Sequence, residues 1–244
     1  MTKEELEHIL KNHDIVKPKL EILRLAEEIN PEFKNPHIVG GFLRNIILDA
    51  FPRDCDVIFQ GHQLNQPGIL EAVQEAEKRL GIEPYPDWEF ENTTATGRSG
   101  DIYEDNVGKY THHTDYLTML IMDTKGNLHI GGEKTLHDLE HRIYDLHFPG
   151  VYIWATHRGG GRSFFSCLSG DLIRAYYLSH VLKLTPSATS AFLMGEFDNI
   201  FNNLNPGDQQ ARLDFWFKKT HGDPAYQPIL DKYGVTVLKI KLAD

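Results

Sequence analysis

The chain has 244 residues, of which 41% are hydrophobic, and this is enough to bury the core of one large domain or of a domain with a helical appendage. It has no apolar run of about 18 residues, and the start, MTKEELEHILKNHD, is too polar for a signal peptide, so we expect no membrane association and a cytoplasmic location. The two cysteines fit a reducing compartment, and the net charge of −10 argues against broad, non-specific nucleic-acid binding, though not against a local basic groove.

Hydrophobic periodicity and turn residues predict an α/β head followed by a mainly helical tail. Five helices are expected in the head. The first begins after Thr2 and the second ends at about Ile29. The others span 42–50, Pro67 to near Gly81, and 135–142. Strands are expected at 37–39, 54–60, 88–94, 116–122 and 127–130, with a loop at 95–109. The tail is predicted to carry helices 169–183, 187–203, 208–219 and 225–232 and a closing strand, 235–241. We place the head at 1–150, with N-terminal helices in 1–30, and the tail at 151–244.

The segment HIVGGFLRNIILDAFPRDCDVIFQG holds the most informative residues. A short apolar run ends at Gly40-Gly41, and a strand opens at Asp54-Cys55-Asp56 after Pro52. Because side chains alternate along a strand, the two aspartates face one side, roughly 7 Å apart. Two such carboxylates repel unless a cation lies between them, which is a common way to hold Mg²⁺. The alternative is a pair of solvated turn residues.

The run GGFLRNIILDAFPRDCDV resembles the opening signature of the head domain shared by CCA-adding tRNA nucleotidyltransferases and bacterial poly(A) polymerases. The family pattern is Gly-Gly, two residues, Arg-Asp, an apolar run and then Asp-x-Asp, and it matches without a gap from Gly40 to Val57. The resemblance implies an α/β (α+β) fold of the nucleotidyltransferase type, with a mixed sheet, flanking helices and a helical neck and tail.

Later segments continue the resemblance. The family carries a third carboxylate in a strand reading Phe-Glu-Val-Thr-Thr, which corresponds to Glu91 in FENTT; Glu89 is the alternative, on the same strand face. The Asp of the family's Arg-Arg-Asp corresponds to Asp115. The end of the family head and its neck segment match Gly131-Gly132, Asp138-Leu139, Arg142 and Ile173-Arg174-Ala175.

The resemblance implies nucleotidyl transfer from an NTP to a hydroxyl on an RNA 3′ end, a small molecule or a protein. Asp54, Asp56 and Glu91 would hold two Mg²⁺ ions roughly 3.5–4 Å apart. Backbone N–H groups at Gly40-Gly41 would cradle phosphates. Arg44 would pair with phosphate or hold Asp115 or the turn internally, and Asp115 would contact the nucleotide or serve as a structural acceptor.

The chain also departs from the family pattern. Asn45 replaces the Asp of Arg-Asp, His113-Thr114 replaces the arginine pair, and Met119 replaces an Asn. The base-reading Glu-Asp of the neck falls on Cys167-Leu168 and Asp171, which argues against ordered addition of CTP and then ATP. A catalytically reduced relative that binds nucleotide or RNA without transfer is therefore an alternative function.

Two further features suggest other functions. His137, Asp138, His141 and Asp145 recur near helical spacing, and His112-His113 lies close to Asp115 in the sequence. This pattern suggests a third function class, a metal-dependent hydrolase. The alternative is that these histidines are solvated surface residues. The glycine loop between Arg158 and Arg162 could form a nest around phosphate or act as a hinge between head and neck.

Overall fold

Two units divide the chain, Met1–His141 and Arg142–Asp244. The computed structural model describes residues 1–52, 54–60, 66–92, 115–146, 175, 178–179 and 182–211. None of the helices in these ranges combines the length and the apolar character that crossing a bilayer requires.

The first two helices form as predicted, and the first is held by a capping box. The Thr2 hydroxyl accepts the Glu5 N–H at 3.2 Å, and the Glu5 carboxylate accepts the Thr2 N–H at 2.7 Å. Helix α1 spans Lys3–Asn12, and α2 spans Val16–Ile29, ahead of Pro31. Helix α1 packs against the last strand of the sheet, where Glu7 Oε2 accepts the N–H of Leu128 at 2.8 Å.

The described strands of the first unit form a five-stranded mixed sheet in the order β3-β2-β1-β4-β5. Its strands are β1 Lys34–Val39, β2 Cys55–Gln60, β3 Trp88–Asn92, β4 Leu120–Asp123 and β5 Leu128–Ile130. The pair β2/β3 is parallel and the other pairs are antiparallel. The flanking helices are α3 Gly41–Ile47, α4 Gln66–Leu80 and α5 Glu133–Glu140. The predicted α/β fold with a mixed sheet and flanking helices is confirmed.

The register brings several chain segments to one end of the sheet. Strand β1 ends where β4 begins, with Val39 opposite Ile121, and Ile38 lies opposite Val57 near the start of β2. Cys55 lies beside Trp88, so β3 also begins here. The Gly40 turn, the Asp54-Asp56 pair and the segment before β4 therefore meet at this end, which is called the site end below.

Several boundaries differ from prediction: β1 begins at Lys34 rather than at 37, and α5 spans Glu133–Glu140 rather than 135–142. Two further differences have local reasons. Helix α3 ends at Ile47 because Asp49 adopts φ +57° and the N–H of Ala50 returns to the Asn45 carbonyl at 2.8 Å. Residues Tyr116–Thr118 form a 3-10 turn rather than a strand because the Asp115 side chain caps it.

The second unit, taken by itself, begins with a small parallel pair, β6 Ile143–Tyr144 with β7 Thr185–Pro186. Ser187 caps helix α6, Ala188–Gly195, and α7 spans Phe197–Asn202. The predicted helix 187–203 is thus interrupted at Glu196, directly after Gly195, a poor helix former. Residues 206–211 are helical behind an Asn205 cap, slightly earlier than predicted. The predicted segments 225–232 and 235–241 lie outside the described residues.

Candidate functional site

The glycine turn at the end of β1 is fixed to the neighbouring strand. The N–H of Gly40 donates to the carbonyl of Leu120 at 3.0 Å, and the Gly40 carbonyl accepts the N–H of Arg44 at 3.3 Å. Gly40 has φ +72° and ψ −131°, a conformation that only glycine adopts readily. Because the Gly40 N–H is used by the sheet, the first donor that α3 can offer to a ligand is the N–H of Gly41.

The guanidinium of Arg44 lies against this turn. Arg44 is 7% exposed, and its Nε and Nη2 donate to Oδ1 of Asn45 at 3.0 and 2.8 Å. A Cβ on Gly41 would lie 3.4 Å from Nη2 of Arg44. Asn45 thus accepts both hydrogen bonds from Arg44 with a neutral amide oxygen.

The aspartate pair stands at the start of β2. Asp54 precedes the strand and Asp56 lies within it, and both are half-buried, whereas Cys55 between them is fully buried in the core. The alternation predicted from the sequence is therefore present. Burial raises the pKa of the Cys55 thiol well above its ordinary value; nearby Lys19 opposes the shift, and the charges of Asp87, Asp56 and Asp54 add to it. Cys55 is thus a neutral core residue at physiological pH.

The parallel pairing of β2 with β3 places the two glutamates that the sequence offers as a third carboxylate. Glu89 lies beside Asp56 in the register, and Glu91 lies beside Ile58. The Glu89 side chain is exposed. The side chain of Glu91 lies outside the described residues.

Asp115 is a fully buried carboxylate that precedes the 3-10 turn leading into β4. Its Oδ1 accepts the N–H of Thr118 at 3.0 Å, and the Thr118 hydroxyl donates to the Asp115 carbonyl at 3.1 Å. Its Oδ2 has no hydrogen-bond partner among the described residues. Oδ1 therefore acts as a structural hydrogen-bond acceptor, which is one of the two roles that the sequence left open for Asp115. Oδ2 is a desolvated acceptor that a hydrogen-bond donor would stabilise.

The donor chemistry of the aspartate pair fits a hard divalent cation, because carboxylate oxygens at a half-buried position are the ligands that Mg²⁺ prefers. Within the described ranges, no three His, Cys, Asp or Glu side chains lie close enough together to hold a metal ion. Asp54 and Asp56 thus form the described part of a candidate metal site, and any third protein ligand lies outside it.

The histidines on α5 have structural partners. The rings of His137 and His141 stack with centroids 4.3 Å apart, and His141 Nδ1 lies 2.9 Å from the His137 carbonyl. Buried Asp138 is held by Lys134 at 2.8 Å and lies 3.1 Å from His137 Nδ1. In the second unit, Asp145 accepts a hydrogen bond from the Ser187 hydroxyl. These contacts favour the surface interpretation of the histidines over a zinc site.

The sequence patterns did not single out Lys19, a fully buried cation on α2. Its position three residues after Val16 and four before Leu23 puts it on the buried face of the helix, and this spacing is the signal that could have found it. Several predicted residues lie outside the described part of the chain: His112, His113, the Arg158–Arg162 loop, Cys167, Asp171 and Arg174.

Neither a protein-family profile nor a curated protein matches the sequence. Solved structures do match. The apo form I of a CCA-adding enzyme matches with a TM-score of 0.55 at 12% identity, over 96% of this chain and 54% of that one. The Thermotoga maritima CCA-adding enzyme complexed with tRNA_CCA gives 0.53 at 12% identity, over 96% and 54%. A tRNA-processing enzyme with CTP gives 0.52 at 16% identity, over 87% and 55%.

These matches show that the chain has the fold of the tRNA nucleotidyltransferases, so the resemblance carried by Gly40 to Val57 is confirmed at the level of the fold. The chain spans little more than half the length of the proteins it matches.

Proposed function

We propose that this chain is a Mg²⁺-dependent nucleotidyltransferase that moves a nucleoside monophosphate from an NTP to a hydroxyl and releases pyrophosphate, with an RNA 3′ end as the first acceptor to test. The observation that carries the proposal is the site end of the sheet, where the glycine turn, the aspartate pair and the start of β4 come together. The head would occupy residues 1–150 and the helical neck and tail residues 151–244.

Each residue has a physical role in this proposal. Asp54, Asp56 and Glu91 would hold the metal, and Mg²⁺, when bound, neutralises triphosphate charge and lowers the pKa of an attacking hydroxyl. The N–H of Gly41 and the positive end of α3 would orient the phosphates. The Arg44 guanidinium beside Gly41 would add positive charge there. Positioning and charge stabilisation would carry the reaction, with no covalent intermediate on the protein.

The proteins that share the fold support this class of substrate. One structural neighbour is described with CTP, one with tRNA, and one with a primer tRNA and an incoming ATP analog. An NTP and an RNA are therefore the partners to test first; small-molecule and protein hydroxyls remain alternative acceptors.

A second candidate function, nucleotide or RNA binding without transfer, is favoured by Met119. Met119 takes the place of the family's Asn and is buried, with 6% exposure, so it offers no polar group at the site end. It packs so closely on Gly131 that a Cβ there would lie 2.6 Å from the Met119 Cβ. Met119 thus contributes apolar packing where the resemblance implies a polar group that would contact the nucleotide.

The test is incubation of the purified chain with Mg²⁺, each of the four labelled NTPs and a panel of acceptors that includes tRNA lacking its 3′ CCA. We expect Mg²⁺-dependent incorporation that disappears in the Asp54→Asn/Asp56→Asn variant. Asp14→Asn, at an exposed position on the turn after α1, is the matched control and should transfer at the parental rate. Parental transfer by the double variant would refute the carboxylate mechanism. NTP binding without transfer to any acceptor would support the second candidate.

A further inference from the structure

Lys19 forms a part-buried ion pair and lies over three aromatic rings, of which those of Tyr85 and Trp88 are nearer than that of Phe42. Its Nζ lies 2.9 Å from Oδ1 of Asp87, and its side chain is 1% exposed. The ammonium also lies 3.9 Å from the ring centroid of Tyr85 and 4.0 Å from that of Trp88. A charge without solvent persists in a protein core only where such partners compensate its lost hydration, so this arrangement is specific to a cation.

The backbone of Asp87 links this ion pair to the aspartate site. The carbonyl of Asp87 accepts the N–H of Cys55 at 2.7 Å, at the point where β2 and β3 begin to pair. Cys55 is the residue between Asp54 and Asp56. The hydrogen bond to the Asp87 carbonyl therefore fixes the backbone at Cys55, and with it the orientation of the neighbouring Asp54 and Asp56 side chains.

A second buried charge fixes the other part of the same segment. Glu77 on α4 is 1% exposed. Its Oε1 accepts the N–H of Tyr85 at 3.0 Å and the indole N–H of Trp88 at 2.9 Å. Side chains from α2 and α4 thus both bind residues 85–88. This segment in turn hydrogen-bonds to the start of β2 through the Asp87 carbonyl.

We propose that Lys19 is a positioning residue of the carboxylate site: through Asp87 it fixes the Cys55 N–H and so sets the spacing of Asp54 and Asp56 for a divalent cation. The inference rests on the proposed function. Lys19 is itself buried, so it would act through Asp87 and not by its own contact with metal or substrate. Outer partners that orient metal ligands typically change metal affinity by about 10- to 100-fold.

The first test measures binding of Mn²⁺, as a paramagnetic stand-in for Mg²⁺, to the full chain by electron paramagnetic resonance, well below the unfolding temperature. We expect Lys19→Met to weaken Mn²⁺ binding by about tenfold, at the low end for outer partners because the effect passes through the backbone. Lys19→Arg, which keeps a cation near Asp87, should retain most of the affinity. Lys17→Met, at an exposed position on the same helix, is the matched control and should bind like the parent.

The outcomes separate this inference from the proposed function. A parent that binds no Mn²⁺ overturns both. A parent that binds, with parental affinity in folded Lys19→Met, overturns the positioning role alone. The Lys19→Met/Asp87→Asn variant leaves no unpaired buried charge, so it is the variant of choice if the single substitution unfolds, and the same result is expected of it.

A second readout needs no metal. Amide hydrogen exchange should quicken at Cys55 in the lysine variant while Val57 and Ile58, in the middle of the same strand, keep the parental rate. A purely structural loss of stability would quicken all three together, and that result would also overturn the inference.

Discussion

Arg44 donates two hydrogen bonds to the side-chain oxygen of Asn45, its neighbour on α3, at 3.0 and 2.8 Å. Asn45→Asp would make these bonds charge-assisted, and we expect it to raise the free energy of unfolding by about 1 kcal/mol. Asn45→Ala should lower it, because it takes an acceptor from a guanidinium that is 7% exposed. Urea unfolding at neutral pH measures both. Equal stability of the Asp and Ala variants would show that the pair contributes nothing.

The two glycines of the turn should respond differently to alanine. Gly40→Ala places a Cβ at φ +72°, and strain of this kind costs about 1–3 kcal/mol of stability. A Cβ on Gly41 meets only ordinary contact with Arg44, at 3.4 Å, so Gly41→Ala should fold normally. It should instead weaken NTP binding, because the methyl group occupies the space that we propose for phosphate. Calorimetric titration of the parent and of Gly41→Ala with a non-hydrolysable NTP measures this. Equal affinity of the two proteins would mean that the phosphate site lies away from this turn.

Asp123 should make the stability of the β4–β5 hairpin depend on acid pH. Burial raises the pKa of its carboxyl, but hydrogen bonds from the Asn127 side chain and from the N–H groups of Asn127 and Lys125 outweigh this and lower the pKa below its ordinary value. A lowered folded-state pKa contributes stability above the ordinary carboxyl pKa of about 4, and this is lost as the pH falls through the folded value.

Asp123→Asn places an amide N–H₂ opposite that of Asn127, so the variant should be less stable than the parent at pH 7. The difference should shrink as the solution is acidified below about pH 4. Urea midpoints of the two proteins across this range are the measurement. Parallel curves would contradict the assignment.

Substrate specificity should differ from that of a CCA-adding enzyme. The neck positions that read bases in the family carry Cys167-Leu168 and Asp171 here, without the paired hydrogen-bonding groups. We therefore predict no ordered addition of two C and one A to tRNA lacking its 3′ end. Sequencing the extended 3′ ends after incubation with all four NTPs is the assay. Faithful CCA addition would mean that other residues read the bases, with Arg174 the first to substitute.

The parts of the fold that follow from local chemistry could be predicted from the sequence. The Thr2 cap, the stop before Pro31, the Gly40 turn and the alternation around Cys55 each depend on residues within a few positions of one another. The 3-10 turn after Asp115 was missed because the apolar run from Tyr116 to Met122 reads as a continuous strand, while a single side-chain cap decides its first residues.

The long-range features could not be read from the chain. Lys19 and Asp87 are 68 residues apart, and nothing local to either predicts their ion pair. The same holds for the register that sets Glu89 rather than Glu91 beside Asp56, because strand pairing is fixed by the packing of the whole sheet.

Helix α1 also covers strand β5, which could otherwise pair with a strand of another molecule. The carboxylate of Glu7 accepts the N–H of Leu128 on β5, which stands at one end of the strand order in the part of the chain that the structure describes. An uncovered edge strand can pair with a strand from another molecule, and α1 packs over this one. Removing residues 1–14 would uncover β5, so we expect the shortened chain to self-associate more strongly than the full chain.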